Sequence, residues 1–161
     1  MEFIVRPAVA SDADALGLVH VRSWRETYAH ILSPHVLDSI RPEDRTTRWK
    51  QILTEQSGHQ NFVAESGCEL VGFSATGPGR DDDSPHPIEL YSIYLLASWH
   101  GTGAGQALIT TALGLEPAYL WVAELNPRAR AFYRRNGFAA DGTRKVGSFL
   151  GEDLAEIRMV R

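Results

Sequence analysis

The six residues His100-Gly101-Thr102-Gly103-Ala104-Gly105 are the part of the chain best suited to hold a ligand. Glycines in alternation let successive backbone N–H groups point into one concavity. A helix start just downstream adds partial positive charge, and the combination is an anion site suited to phosphate. No Gly-Lys-Ser/Thr follows, and the third glycine of the dinucleotide fingerprint is missing, so neither nucleotide hydrolysis nor hydride transfer is indicated. A plain strand-to-helix turn can also carry Gly-x-Gly, so the functional reading depends on what accompanies it. Arg128, Arg130, Arg134 and Arg135 crowd a later short helix, either as donors to phosphate or as a solvated face. Asp81, Asp82 and Asp83 lie before the strand that leads to the glycine turn, where they either steer a cation or form an acidic loop tip. His20, His30, His35, His59 and His86 show no pair at metal-ligand spacing, so no metal centre is expected. Cys68 has no evident base beside it in sequence and is read as structural.

Positioning these groups requires strands and helices in alternation. Phe3 to Arg6 reads as a short strand closed by Pro7, and Ser11 with Asp14 as a helix start. Leu16, His20, Trp24 and Tyr28 recur every four residues on one face of an amphipathic helix that ends before the Ser33-Pro34 turn. A second helix is expected from Pro42 to Leu53, then a hairpin of Asn61–Glu65 and Glu69–Ala75 around Ser66-Gly67. Gly77 to Pro87 is a breaker-rich loop, either a functional flap or mobile. Glu89 to Leu95 alternates as a strand, which would put Glu89, Tyr91, Ile93 and Leu95 on one face. A helix over Gly103–Leu115, a strand over Ala118–Val122 and a short helix over Pro127–Asn136 follow. The last is capped by Asn126, with Pro127 at its first position and Gly137 at its end. Phe138–Val146 and Asp153–Met159 read as closing strands. The pattern implies a mixed α/β sheet with a ligand site where strand ends meet helix starts.

Bulk properties narrow the class. The length of 161 residues suits one domain spanning 1–161. Hydrophobic residues at 43% and charged residues at 22% are ordinary globular values, which disfavours a disordered or fibrous chain. A net charge of -4 gives no general basic field, so nucleic acid is not the expected partner. The single cysteine allows no intramolecular disulfide, and no apolar run is long enough to span a bilayer. A soluble cytoplasmic protein with no membrane partner is expected.

Three segments taken together closely resemble the GNAT superfamily of N-acetyltransferases: Glu89-Leu90-Tyr91-Ser92-Ile93-Tyr94-Leu95, the glycine turn, and the run from Asn126-Pro127 through Phe132-Tyr133 to Asn136-Gly137-Phe138. The family's pyrophosphate loop, Gln/Arg-x-x-Gly-x-Gly/Ala, falls on His100, Gly103 and Gly105, and its second signature is Asn followed by Phe-Tyr and Gly-Phe. The resemblance covers about residues 60–140. Val5-Arg6-Pro7 and Val19-His20-Val21-Arg22-Ser23-Trp24 look like family openings. Two departures stand out: His100 replaces the usual Gln or Arg, and Ala97 replaces a common Pro after the fourth strand.

The resemblance implies a central, mostly antiparallel sheet of six or seven strands, splayed between strands 4 and 5 and flanked by helices in three layers. It implies acetyl-CoA as co-substrate, with backbone groups around Ile93 and Leu95 pairing with pantetheine and residues 100–105 (His100, Gly101, Thr102, Gly103, Ala104, Gly105) at the pyrophosphate. Asn126 would contact the pantetheine arm or a bridging water. Acetyl transfer to an amine needs a base, a polarised carbonyl and a proton for the thiolate. A lysine-like amine of pKa about 10.4 costs on the order of 4 kcal/mol to deprotonate at neutral pH. Tyr133 matches the family's acid near the thioester sulfur. Glu89 matches the base of some members, acting through water, with an ordinary solvent-facing carboxylate as the equal alternative. Trp24 and Tyr28 either line the pocket of the acceptor, a small-molecule or peptide amine, or fill the core. A homodimer is common in such families. The competing functional class is a non-catalytic acyl-CoA sensor or regulatory module.

Overall fold

The computed structural model describes residues 2–55 and 58–161. Its seven strands are β1 (Ile4–Pro7), β2 (Gln60–Ser66), β3 (Glu69–Pro78), β4 (Ile88–Leu95), β5 (Tyr119–Ala123), β6 (Ala139–Phe149) and β7 (Glu152–Val160). They form one sheet in the order β1-β2-β3-β4-β5-β7-β6. Every neighbouring pair is antiparallel except β4 with β5. This is the expected mixed sheet, parted between the fourth and fifth strands.

The helices are α1 (Ala13–Tyr28), α2 (Pro34–Ser39), α3 (Pro42–Thr54), α4 (Ala104–Leu113) and α5 (Pro127–Arg135). Alternation along the strands sorts them into layers. Val63 and Phe73 pack with Leu16, Val19 and Trp49 of α1 and α3, whereas Ala64 and Val71 pack with Leu108 of α4 on the other face. Leu120, Val122 and Met159 cluster with Ile109 and Tyr133, so α5 shares the α4 side. Tyr28, Leu37, Ala123 and Leu154 make a third cluster that fastens α1 and α2 over β5 and β7.

Local chemistry explains most boundaries. Asp12 accepts from Val9 N–H at 2.8 Å and from Arg6 at 2.7 and 2.9 Å, which anchors the start of α1 to β1. Ser33-Pro34, expected as a turn only, also begins α2, with Ser33 Oγ as cap and Pro34 in the first turn. Gly103, at φ +93°, opens α4 in a conformation that costs other residues strain.

One expectation fails. Ala75 of β3 pairs with Ser92 but Thr76 pairs with Leu90, so Tyr91 is an extra residue, a β-bulge. The bulge reverses the alternation of β4. Leu90, Ile93 and Leu95 face α4 and α5, Tyr91 and Tyr94 pack with the α1 cluster, and Glu89 meets Tyr119. Glu89, Tyr91, Ile93 and Leu95 therefore do not share a face.

The loop expected over residues 77–87, open between flap and mobile segment on the sequence, starts only at Gly79 because Gly77 and Pro78 extend β3, and it is fastened. Arg158 of β7, with a side chain only 7% exposed, binds Asp81 at 3.2 Å, Asp83 at 3.0 Å and Asp141 at 2.7 Å. Trp121 donates to Asp81 at 3.0 Å, and Gly79 N–H donates to the Pro87 carbonyl at 2.8 Å. The aspartates proposed for steering are thus largely tied to an internal arginine, and the bond to Arg158 holds Asp83 below the usual carboxylate range.

Candidate active site

β4 and β5 pair through only two positions, Glu89 with Tyr119 and Leu90 with Leu120. Beyond them the two strands no longer pair, and the gap opens into a cavity of about 470 Å³. Ile93 and Leu95 form one wall, and Val122, Ala123 and Asn126 form the other. Gly101, Gly103 and Gly105 reach one end of the cleft at the N-terminus of α4. A Cβ added at Gly101 or Gly103 would meet nothing within 4 Å, but both sit at positive φ, so glycine is required there by conformation and not by space. Amides at a helix start are suited to an anion. Thr102 turns its hydroxyl back to the Trp99 carbonyl at 2.8 Å, and Ala104 is buried, so these two serve the turn with their backbones.

His100 lines the cleft, and its Nε2–H donates to the Leu95 carbonyl at 3.1 Å. Burial, reinforced by Arg128, pushes its pKa below the ordinary histidine value and favours the neutral ring. Of the four arginines on α5, Arg128 and Arg135 reach the cleft. Arg130 instead donates to the Glu124 carbonyl at 3.1 Å.

Tyr133 lines the cleft from α5 and is 8% exposed. Burial pushes its phenol well above the ordinary tyrosine value, so it carries its proton at neutral pH. Asn126 Oδ1 accepts from Ala129 N–H at 3.0 Å and caps α5 while the residue borders the cavity. On the opposite side Tyr28 and Tyr94 join hydroxyls at 2.8 Å, and both line the cleft. Trp24 does not border it; its ring lies edge-on to His20 at 4.3 Å and to Phe149 at 4.9 Å.

Glu89 is 1% exposed and stands at the paired end of β4 and β5. Its oxygens accept from Arg80 Nη2 at 2.6 Å, Arg80 N–H at 3.0 Å and Tyr119 hydroxyl at 3.0 Å. It is absent from the described cleft lining. A base placed there would exchange protons only at the expense of these contacts. Two residues escaped the sequence reading because only long-range pairing reveals them: Arg158, which gathers the aspartates, and Glu156, a carboxylate on β7 that borders the cavity.

A parted sheet with a glycine-lined helix start at one end of the gap defines an acyl-transfer scaffold, and sequence comparison agrees. The pattern of the acetyltransferase (GNAT) family matches residues 18–138, and the chain belongs to that family. It is therefore an acyltransferase. It is 31% identical over 145 residues to "Probable N-acetyltransferase Rv2775" of Mycobacterium tuberculosis, covering 86% of this chain and 80% of the relative. It is 35% identical over 130 residues to "Uncharacterized N-acetyltransferase YuaI" of Bacillus subtilis, covering 76% and 73%. Among solved structures, the PaiA N-acetyltransferase of Thermoplasma acidophilum in complex with coenzyme A superposes with a TM-score of 0.72 at 23% identity, covering 98% of both chains. No described helix is long and apolar enough to cross a membrane.

Proposed function

We propose that the protein transfers an acetyl group from acetyl-CoA to a primary amine of a small molecule or peptide, by direct attack of the amine on the thioester. The observation that carries this reading is the cleft itself, which runs from amides at the start of α4 to a buried, protonated phenol. The coenzyme A held by the similar T. acidophilum fold supports the choice of acyl donor. Acetyl-CoA supplies the activated acyl group. The amides of the glycine turn, with Arg128 and Arg135 at the rim, receive its phosphates. Ile93 and Leu95 offer their backbones to pantetheine, and Asn126 stands at the facing wall. His100, neutral and turned to Leu95, supports the wall instead of adding charge.

Tyr133 then acts as general acid, giving its proton to the departing thiolate. A phenol that keeps its proton at neutral pH is available for that step. Removal of the acceptor's proton is the remaining requirement. Glu89 acting through water is one answer, and a second carboxylate is weighed below. A cytoplasmic location belongs to the same reading, supported by the lone Cys68.

The test combines calorimetry with coenzyme A and release of free thiol from acetyl-CoA across a panel of amines. Binding with amine-dependent release is expected. Binding without release from any amine would favour the sensor, and absence of binding would remove the proposal. Tyr133→Phe is expected to lower kcat about 100-fold with coenzyme A affinity kept; unchanged kcat would remove the acid assignment.

A further inference from the structure

The cleft is electrically lopsided. Its glycine end carries Arg128 and Arg135, whereas Glu156 is the one acidic side chain among the described lining residues. Glu156 lies opposite Ala123 of β5 and Lys145 of β6. Alternation along β7 puts it on the face of Leu154, which packs with Tyr28 and Ala123 beneath α1 and α2, away from α5. It thus looks into the gap from the side opposite Tyr133. Its side chain is 26% exposed, buried enough to act in a low-dielectric setting and open enough to meet a ligand.

The surroundings of Glu156 already accommodate an ammonium group. Lys145 Nζ stands 3.8 Å from its carboxylate and 3.9 Å from the centre of the Trp121 ring. Trp121 also borders the cavity. A carboxylate beside an aromatic face is a general solution for binding R–NH3+. Lys145 is 45% exposed on the outermost strand and long-stemmed, so it can withdraw to water when another ammonium arrives.

We propose that Glu156 is the catalytic carboxylate that receives the acceptor's ammonium group and takes its proton, and that with Trp121 it selects primary amines bearing no anionic group beside the reacting nitrogen. This rests on the reading of the cleft as an acetyl-transfer site. One proton passes from R–NH3+ to Glu156 and later to solvent. The free nitrogen forms the C–N bond to the acetyl carbon and the C–S bond breaks. The thiolate takes the Tyr133 proton, and Tyr133 recovers one from the nitrogen, leaving amide and free thiol. Burial holds Glu156 above the ordinary carboxylate range, opposed by Lys145 on β6 and Arg80 in the 79–87 loop and reinforced by Glu89 on β4; Tyr28 of α1 also lies within its field. A raised pKa suits a base working near neutrality. Glu89, by contrast, already has its oxygens engaged.

The test uses the full chain and measures kcat/KM with acetyl-CoA and paired amines, phenethylamine against phenylalanine and isoamylamine against leucine, together with a lysine-containing peptide. The expected result is turnover of the amines without a neighbouring carboxylate, at least tenfold faster than their partners. Glu156→Gln should lower kcat/KM about 100-fold, with coenzyme A affinity unchanged, and Glu156→Asp should recover part of it. Lys145→Met should move the acid limb of the pH profile upward, because removing a cation raises the pKa of Glu156; a merely structural Glu156 would leave that limb in place. Turnover by Glu156→Gln within threefold of wild type, an unmoved limb, or equal rates within each pair would overturn this inference and leave acetyl transfer standing. A wild type that binds coenzyme A but acetylates none of these amines overturns it too, while failure to bind coenzyme A would remove the underlying reading with it.

Discussion

The two ends of the β4–β5 junction use polar groups in opposite ways. At the closed end four carboxylates are held by two arginines: Glu89 has Arg80, and Asp81, Asp83 and Asp141 share Arg158. At the open end the gap is bordered by glycine amides, Arg128 and Arg135, the protonated Tyr133 phenol and one carboxylate whose cation lies 3.8 Å away. Mutual satisfaction marks the first as the fastening of the fold. Polar groups gathered around a cleft mark the second as the candidate ligand site.

Four measurements test this contrast. Arg158→Met should have the largest effect, because it leaves three carboxylates without their common partner; a loss of about 3 to 5 kcal/mol is expected in urea unfolding. An unchanged midpoint would dissolve the distinction between the ends. Glu89→Gln should cost about 2 kcal/mol of stability by weakening the Arg80 and Tyr119 contacts, with turnover reduced less than threefold. A 100-fold loss of turnover at unchanged stability would instead move Glu89, as a water-relayed base, into the chemistry.

Gly103→Ala probes the open end. No atom obstructs the added methyl, but φ of +93° strains any side chain. Rotation of the turn's amides should weaken coenzyme A about tenfold, equivalent to about 1.4 kcal/mol, with stability changing less than in Arg158→Met. The last measurement concerns pH. His20 accepts from Trp49 Nε1 at 3.1 Å through Nδ1, and burial, aided by Arg45, lowers its pKa to about 3. The unfolded imidazole binds a proton below about 6.5 while the folded one stays neutral. Stability from this group is therefore full above that pH and falls by about 1.4 kcal/mol per unit as pH drops toward 3. His20→Asn should flatten that part of the unfolding profile without altering coenzyme A affinity.

The features that could be read from the sequence are the local ones. Gly101 and Gly103 announce a positive-φ turn by their type alone, and Asn126-Pro127 with Gly137 brackets α5 within a dozen residues. The mixed sheet followed from the order of strands and helices, and its parting from the family resemblance of those same segments. What stayed hidden depends on partners distant in sequence. The bulge at Tyr91 exists because β3 and β4 pair out of step, which no alternation within β4 discloses. The 79–87 loop looked free because Arg158, its anchor, lies more than 70 residues away. Trp24 and Tyr28 share a helical face, yet only Tyr28 reaches the cavity, while the Trp24 ring packs against His20 and Phe149.

Two rungs of parallel pairing join β1–β4 to β5–β7, with the arginine clasp beside them. Such a joint is built like a clothes-peg: it holds one end together and leaves the jaws unpaired. A thioester arm laid between the jaws would bridge them along the length of Ile93 and Val122 and stiffen both together. Slower amide exchange on the two strands would then be a mechanical signature of occupancy, visible far from any phosphate.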